Sequence, residues 1–159
     1  MSLHGVVVAA GQGPVIQHTA PGRSFTLKLQ NGETAESVMM FEEVAPVGTV
    51  TDFHTHHASD EIAYVLSGEI EILDGSSKLL ARAGDFVFIP RGIRHRFKNT
   101  GVHGARLLFM FTPGGVEGVF RYGDKPRAGH PPPAWGMERF RTPEIMKFNE
   151  EFGVEILPE

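Results

Sequence analysis

The chain has 159 residues, a net charge of −4, 41% hydrophobic residues and no cysteine. That length and near-average composition fit one soluble globular domain, residues 1–159, with a single core. Mixed acidic and basic residues exclude an electrostatic footprint for nucleic acid or an anionic membrane, and the missing cysteines exclude disulfides, thiolate nucleophiles and thiolate-bound clusters.

In chain order, the first apolar run is VVVAAGQG (6–13), with neither the basic start nor the sustained apolar core of a signal peptide. It imitates a dinucleotide-binding glycine turn, but the third glycine is missing, Pro14 follows at once and no ribose-binding acid comes later, so that reading is rejected. No apolar stretch approaches a membrane span, and a cytoplasmic location is the default expectation. SFTLKL (24–29) and AESVMMFEEV (35–44) read as strands joined by a tight hairpin at Asn31-Gly32, a pair suited to positive φ. EIEIL (69–73) and KLLARA (78–83) flank a second such turn at Asp74-Gly75, and ARLLFMF (105–111) is a further buried strand. Short strands at regular spacing, with glycine and proline between them, predict an all-β barrel or sandwich over about residues 24–112.

The last third differs. Residues 113–142 are rich in proline and glycine and predict a long irregular segment that packs as a lid or wraps the surface, with Trp135 packed on that surface or gating a pocket. TPEIMKFNEEFG (142–153) then predicts a helix over about 143–152: Thr142 suits the N-cap, Pro143 the first turn and Gly153 the stop. Ile145, Phe148 and Phe152 share one face, so the helix packs on the outside of the barrel.

The chemistry lies in the middle. GTVTDFHTHHASDEIAYVLSG (48–68) reads G-x5-H-x-H-x4-E-x6-G, and GDFVFIPRGIRHRFKN (84–99) reads G-x5-P-x-G-x2-H-x3-N. Residues two apart on a strand share a face, so His54 and His56 project together. A turn at Ala58, Ser59 and Asp60 returns Glu61 to the same interior, and His95 follows the turn signal Pro90-Arg91-Gly92. Three imidazoles and one carboxylate on three consecutive strands make a nitrogen and oxygen site for one divalent transition metal: Fe, Ni, Mn, Co, Cu or Zn. His57 is assigned to the outside or the turn; His4, His18, His103 and His130 lack ligand spacing; Asp60 points away from Glu61.

The two blocks resemble the paired motifs of the cupin superfamily at every specified position. Such a match has a chance on the order of 10⁻¹³ per placement. The resemblance implies a double-stranded β-helix, or jelly-roll barrel, with the metal inside. It carries the ligand roles onto His54, His56, Glu61 and His95, and turn roles onto Gly68, Gly84, Pro90 and Gly92. FTPGGVEGVFRYG (111–123), the late helix and FGVEILPE (152–159) resemble single-barrel, quercetin-dioxygenase-like members, and family habit implies a homodimer built through the N-terminal segment or an open sheet edge.

A divalent ion on three neutral imidazoles and Glu61 leaves about +1 net charge, which favours an anionic oxygen ligand such as an acidified hydroxyl or enol. Glu61 is the candidate catalytic residue, as proton acceptor as well as ligand. Three readings follow: a dioxygenase on a flat hydroxylated or enolisable small molecule; a non-redox isomerase, cyclase or hydrolase; or a binding or sensory barrel without turnover. Alternation groups Phe97 with His95, Phe86 with Phe88, and Phe109 with Phe111, so Phe88, Phe97, Phe109 and Phe111 are the candidate substrate pocket. Arg91 and Arg94 are candidates for holding a substrate carboxylate near the mouth.

Overall fold

The computed structural model describes residues 4–17, 21–121 and 143–157. In chain order the strands are β1 (Val15–Gln17), β2 (Ser24–Leu29), β3 (Met39–Ala45), β4 (His54–His56), β5 (Asp60–Ser67), β6 (Glu69–Asp74), β7 (Ser77–Arg82), β8 (Phe86–Ile89), β9 (His95–Lys98), β10 (Ala105–Thr112) and β11 (Val154–Ile156). Helices α1 (Asn31–Thr34), α2 (Glu117–Arg121) and α3 (Pro143–Glu150) complete the described elements. The strands form two antiparallel sheets, a six-stranded one in the order β1-β2-β3-β10-β5-β8 and a five-stranded one in the order β11-β4-β9-β6-β7. This is the expected mostly-β jelly-roll architecture. No helix among the described residues is long and apolar enough to cross a membrane.

Period-two alternation builds the core. β3 buries Met39, Phe41, Glu43 and Ala45, and β10 buries Ala105, Leu107, Phe109 and Phe111, one residue in two along each strand. Phe41 stacks on Phe109 at 5.1 Å between ring centroids, and Phe97 meets Phe109 at 5.6 Å. Truncating a ring such as Phe109 to alanine would cost about 3–5 kcal/mol, because the surroundings collapse only partly. Gly68, between β5 and β6, has φ +81°, and a Cβ there would stand 2.8 Å from the Ala105 Cα. Both the backbone angle and the close approach require glycine.

Several elements depart from the sequence expectations. The β2–β3 connection is not a two-residue turn at Asn31-Gly32. Residues Asn31–Thr34 form the helical turn α1, tied by the Glu33 carboxylate accepting from the Gln30 backbone N–H, and the positive φ angles fall on Ala35 and Glu36. The β6–β7 hairpin forms one residue later than expected: Asp74 pairs with Ser77, so Gly75, with φ +56°, and Ser76 make the turn. Residues Glu117–Arg121 form α2 inside the segment expected to be irregular. The rest of that segment, with Trp135 and the Thr142 cap, lies outside the described residues. Helix α3 buries Ile145 and packs against β11 and α2.

Phe88 is a correction. Phe86 and Phe88 do share a face of β8, but it is the outer one: they are 60% and 53% exposed while Val87 and Ile89 are buried. The register of β8 against β5, with Glu61 opposite Ile89, sets which alternate residues face in. Phe88 is therefore no part of the interior pocket.

Candidate metal centre

His54 and His56 stand on β4, which lies between β9 and β11 in the five-stranded sheet. His54 is the register partner of His95 on β9, and their rings lie 4.3 Å apart between centroids. Glu61 reaches the same point from β5 in the opposing six-stranded sheet. The ligand-bearing strands are thus not three consecutive ones. β6, β7 and β8 intervene before β9, and the site forms because the two sheets face each other. The Gly92 N–H donates to the His56 carbonyl at 2.8 Å, which ties the turn before His95 to the strand bearing the other two imidazoles.

Ligand atoms of His54, His56, Glu61 and His95 all lie within 4.8 Å of one another. His56, Glu61 and His95 are buried and His54 is half-buried. The Nδ1 atoms of His54 and His95 lie 2.8 Å from the Asp52 carbonyl and 3.0 Å from the Ile93 carbonyl. A carbonyl only accepts, so each Nδ1 carries a proton and each Nε2 is the ring nitrogen turned to the site. Desolvation, with His95 and His56 close by, pushes His54 down to about 3 and keeps it neutral at ordinary pH. Burial would raise Glu61, yet the charge on His95, the close approach of the His56 ring and the hydrogen bond from His95 hold it well below the usual carboxylate range. Burial opposes a charged His95, but Glu61 raises its pKa on balance.

The donor set fits a divalent metal. Glu61 Oε2 lies 2.9 Å from His56 Nε2 and 3.1 Å from His95 Nε2. Two ligands held about 2.1 Å from one ion at right angles stand about 3 Å apart. Both ring nitrogens of His56 are buried, and neither has an aligned hydrogen-bond partner among the described residues, despite the short approach to Glu61. A buried imidazole without a partner is costly, and an ion in the cluster would complete it.

Below the cluster is a small apolar-lined cavity, with room for about one water-sized molecule. Glu61 and His95 form its polar end, and Ile72, Val87, Phe97 and Phe109 are among its walls. Phe97 and Phe109 therefore face the interior as expected. Phe111 is buried against His56, with ring centroids 5.0 Å apart, and does not line the cavity. Arg91 is committed elsewhere: its guanidinium clamps Asp60 at 2.9–3.0 Å and reaches the Ala58 and Thr112 carbonyls. That clamp holds Asp60 down to about 2. Arg94 lies over the Phe53 ring at 3.5 Å. His57 is exposed and pairs with Glu155 at 2.8 Å.

One supporting element escaped sequence reasoning. β11 pairs with β4, setting Val154 opposite His56 and Ile156 opposite His54, and the His57 N–H donates to the Gly153 carbonyl at 2.7 Å. The tail thereby closes the edge beside the two ligand imidazoles. The signal was the alternating V-E-I after Gly153, too short to stand out from the preceding helix.

Comparison with known proteins agrees with this geometry. The family model described as "Cupin domain" matches residues 40–111. The chain is 41% identical over 83 residues to protein SchB of Streptomyces halstedii, covering 50% of this chain and 59% of that one. It is 38% identical over 78 residues to polyketide synthase CurC of Streptomyces cyaneus, covering 48% of this chain and 45% of that one. The chain thus spans about half the length of these curated relatives. The crystal structure of an RmlC-like cupin from Shewanella frigidimarina superposes with a TM-score of 0.59 at 19% identity, over 72% of this chain and 96% of that one, which is a likeness of fold. Paired motifs, facing sheets and a His/Glu cluster between them agree with that match: residues 40–111 of this chain are a cupin domain.

Proposed function

We propose that the protein is a metal-dependent enzyme acting on an enolisable or hydroxylated conjugated small molecule, and that its reaction is oxygenation of the quercetin-dioxygenase type. The observation that carries this reading is the pairing of a buried His56, whose ring nitrogens find no aligned hydrogen-bond partner among the described residues, with an apolar-walled cavity that abuts Glu61 and His95. A bound divalent ion would supply residual positive charge for an enolate or phenolate oxygen and, if redox-active, electron transfer to dioxygen. The chain's own residues do the rest. His54 and His95 turn fixed Nε2 atoms to the site, and Glu61, kept ionised by its imidazole neighbours, accepts the substrate's hydroxyl or enol proton on a carboxylate oxygen.

The cavity has room for about one water-sized molecule, walled by Ile72, Val87, Phe97 and Phe109 with Glu61 and His95 at its polar end, so it is too small for an organic substrate. The organic substrate then approaches on the His54 side, where the cluster is least buried. Non-redox cyclisation or isomerisation is the second reading, favoured by the likeness to a protein named as a polyketide synthase, since polyketide chains are enolisable.

The test is oxygen uptake by iron-, nickel-, cobalt-, manganese- and copper-loaded protein against a panel of flavonols and β-diketones, with zinc-loaded protein as the control. Substrate-dependent uptake with a redox metal is expected. Glu61→Gln should retain much of the metal and lose turnover, since an amide oxygen can still coordinate but cannot take the proton. Product formation by zinc-loaded protein without oxygen consumption would sink the oxygenase reading in favour of the second.

A further inference from the structure

We propose that Arg91 is a positioning residue for the metal cluster: its guanidinium clamps together the two connections that carry the chain between the sheets, and so fixes Glu61 against the three histidines. This rests on the reading of the cluster as a metal site. The four ligands flank two crossovers. Residues 57–59 lead from His54 and His56 on β4, in the five-stranded sheet, to Glu61 on β5 in the six-stranded sheet. Residues 90–94 lead from β8, in the six-stranded sheet, back to His95 on β9 in the five-stranded one. Strand pairing holds this end loosely, because β4 and β9 register only at His54 with His95 among the described strand residues.

Arg91 ties the two crossovers directly. Its Nε and Nη2 donate to the two carboxylate oxygens of Asp60 at 3.0 and 2.9 Å, a bidentate fork, and its backbone N–H donates to Asp60 Oδ1 at 2.9 Å. Asp60 is the residue before Glu61. Nη1 also donates to the Ala58 carbonyl at 3.2 Å, and Nη2 to the carbonyl of Thr112, the register partner of Asp60 on β10, at 3.4 Å. The next two residues of the same turn reach the other ligands. The Gly92 N–H donates to the His56 carbonyl, and the Ile93 carbonyl accepts from His95 Nδ1. One turn therefore touches the strand bearing Glu61, the strand bearing His54 and His56, and the His95 ring. The Arg91 and Asp60 side chains are 47% and 23% exposed, and an ion pair so exposed ordinarily adds little to stability. What the planar fork supplies is a fixed direction, which the ammonium of a lysine does not.

Cobalt(II) titration of the full chain tests this, read by the affinity and by the visible absorption of the bound ion. Arg91→Ala and Arg91→Lys should each weaken cobalt binding at least about tenfold and alter the absorption bands, with circular dichroism unchanged. The direction separates positioning from charge. If Arg91 acted only through its charge, Arg91→Ala would tighten the binding of a cation and Arg91→Lys would match the wild type. Arg106→Ala, which breaks the exposed pair with Glu42, should leave both readouts at their wild-type values. If Arg91→Ala does not fold, Arg91→Lys decides, since it keeps the charge and removes the fork. Variants with wild-type affinity and spectrum, or with tighter binding, overturn the clamp and leave the metal reading standing. A wild type that takes up no cobalt overturns both.

Discussion

Two buried carboxylates face the interior of the same barrel, and they behave in opposite ways. Glu61 and Glu43 are 7% and 1% exposed, and their register partners on β10, Phe111 and Leu107, are four residues apart, about 13 Å along the strand. Glu43 has a dedicated cation: Arg23 Nε donates to its Oε1 at 2.7 Å, and the guanidinium also lies 5.2 Å over the Phe25 ring. Burial pushes Glu43 up to about 7, against the pull of Arg23 and with some help from the charge on Glu61. Among the described residues no guanidinium or ammonium pairs with Glu61. Three imidazoles crowd it, and neither ring nitrogen of His56 finds an aligned hydrogen-bond partner there. An internally completed ion pair is a structural device, whereas a cluster of close donor atoms left without such a pair could hold a metal ion.

That contrast can be broken experimentally, most sharply through metal content. The double variant His54→Ala, His95→Ala should lose metal affinity by at least about 100-fold, more than the loss typical of a residue behind the ligands. Elemental analysis of Arg23→Met, Glu43→Met should show metal retained as in the wild type. Equal losses in both would dissolve the distinction between the two carboxylates.

Stability should respond in the reverse sense. Glu43→Ala leaves Arg23 buried and unpaired and should cost about 3–5 kcal/mol, while Arg23→Met, Glu43→Met should lie near the wild type because it removes both charges together. Urea unfolding at pH 8 checks both. If the single and double variants lose the same stability, the pair is not a coupled unit.

A pH series sharpens the same point. The folded pKa of Glu43 lies above its ordinary value of 4.5, so between about pH 4.5 and 7 the native state holds a proton that the unfolded chain has released. Its contribution to stability is therefore fully present below about 4.5, falls as pH rises, and is gone above about 7. The total change is about 3 kcal/mol. Unfolding free energies measured from pH 4.5 to 8 should show this decline in the wild type and not in Glu43→Gln. Parallel profiles would show that Glu43 does not titrate there.

The smallest effect should come from His57. It is adjacent in sequence to a ligand but exposed, and paired with Glu155 at the surface. His57→Ala should change stability by less than about 1 kcal/mol and leave metal affinity unaltered. A loss of metal in that variant would mean that His57 supports the cluster after all.

The clustering of the four candidate ligands was legible because spacing and residue type act locally. A period of two puts His54 and His56 on one face, and the turn residues before Glu61 and His95 return those side chains to the interior. The short strands were legible for the same reason. The β2–β3 turn was misread because Asn-Gly competes with the helical turn that Gln30 and Glu33 close, and Ala35 and Glu36 take the positive φ angles instead. β11 was missed because three alternating residues carry too little signal without the β4 edge they complete.

By itself, then, the sequence determined what its local periodicities encode: a mostly-β chain, four candidate ligands and the turns that aim them. Only the tertiary structure decided which face of each strand is inside. Alternation groups Phe86 with Phe88 and Phe109 with Phe111 but does not say which pair faces inward, since a one-residue change of register exchanges the two faces of a strand. The pairing of β8 with β5 turned Phe88 to the surface, and the pairing of β10 with β3 and β5 turned Phe109 and Phe111 to the core. The tertiary structure also brought Glu61 from one sheet against three histidines from the other, because a contact across two facing layers depends on how the whole chain closes on itself.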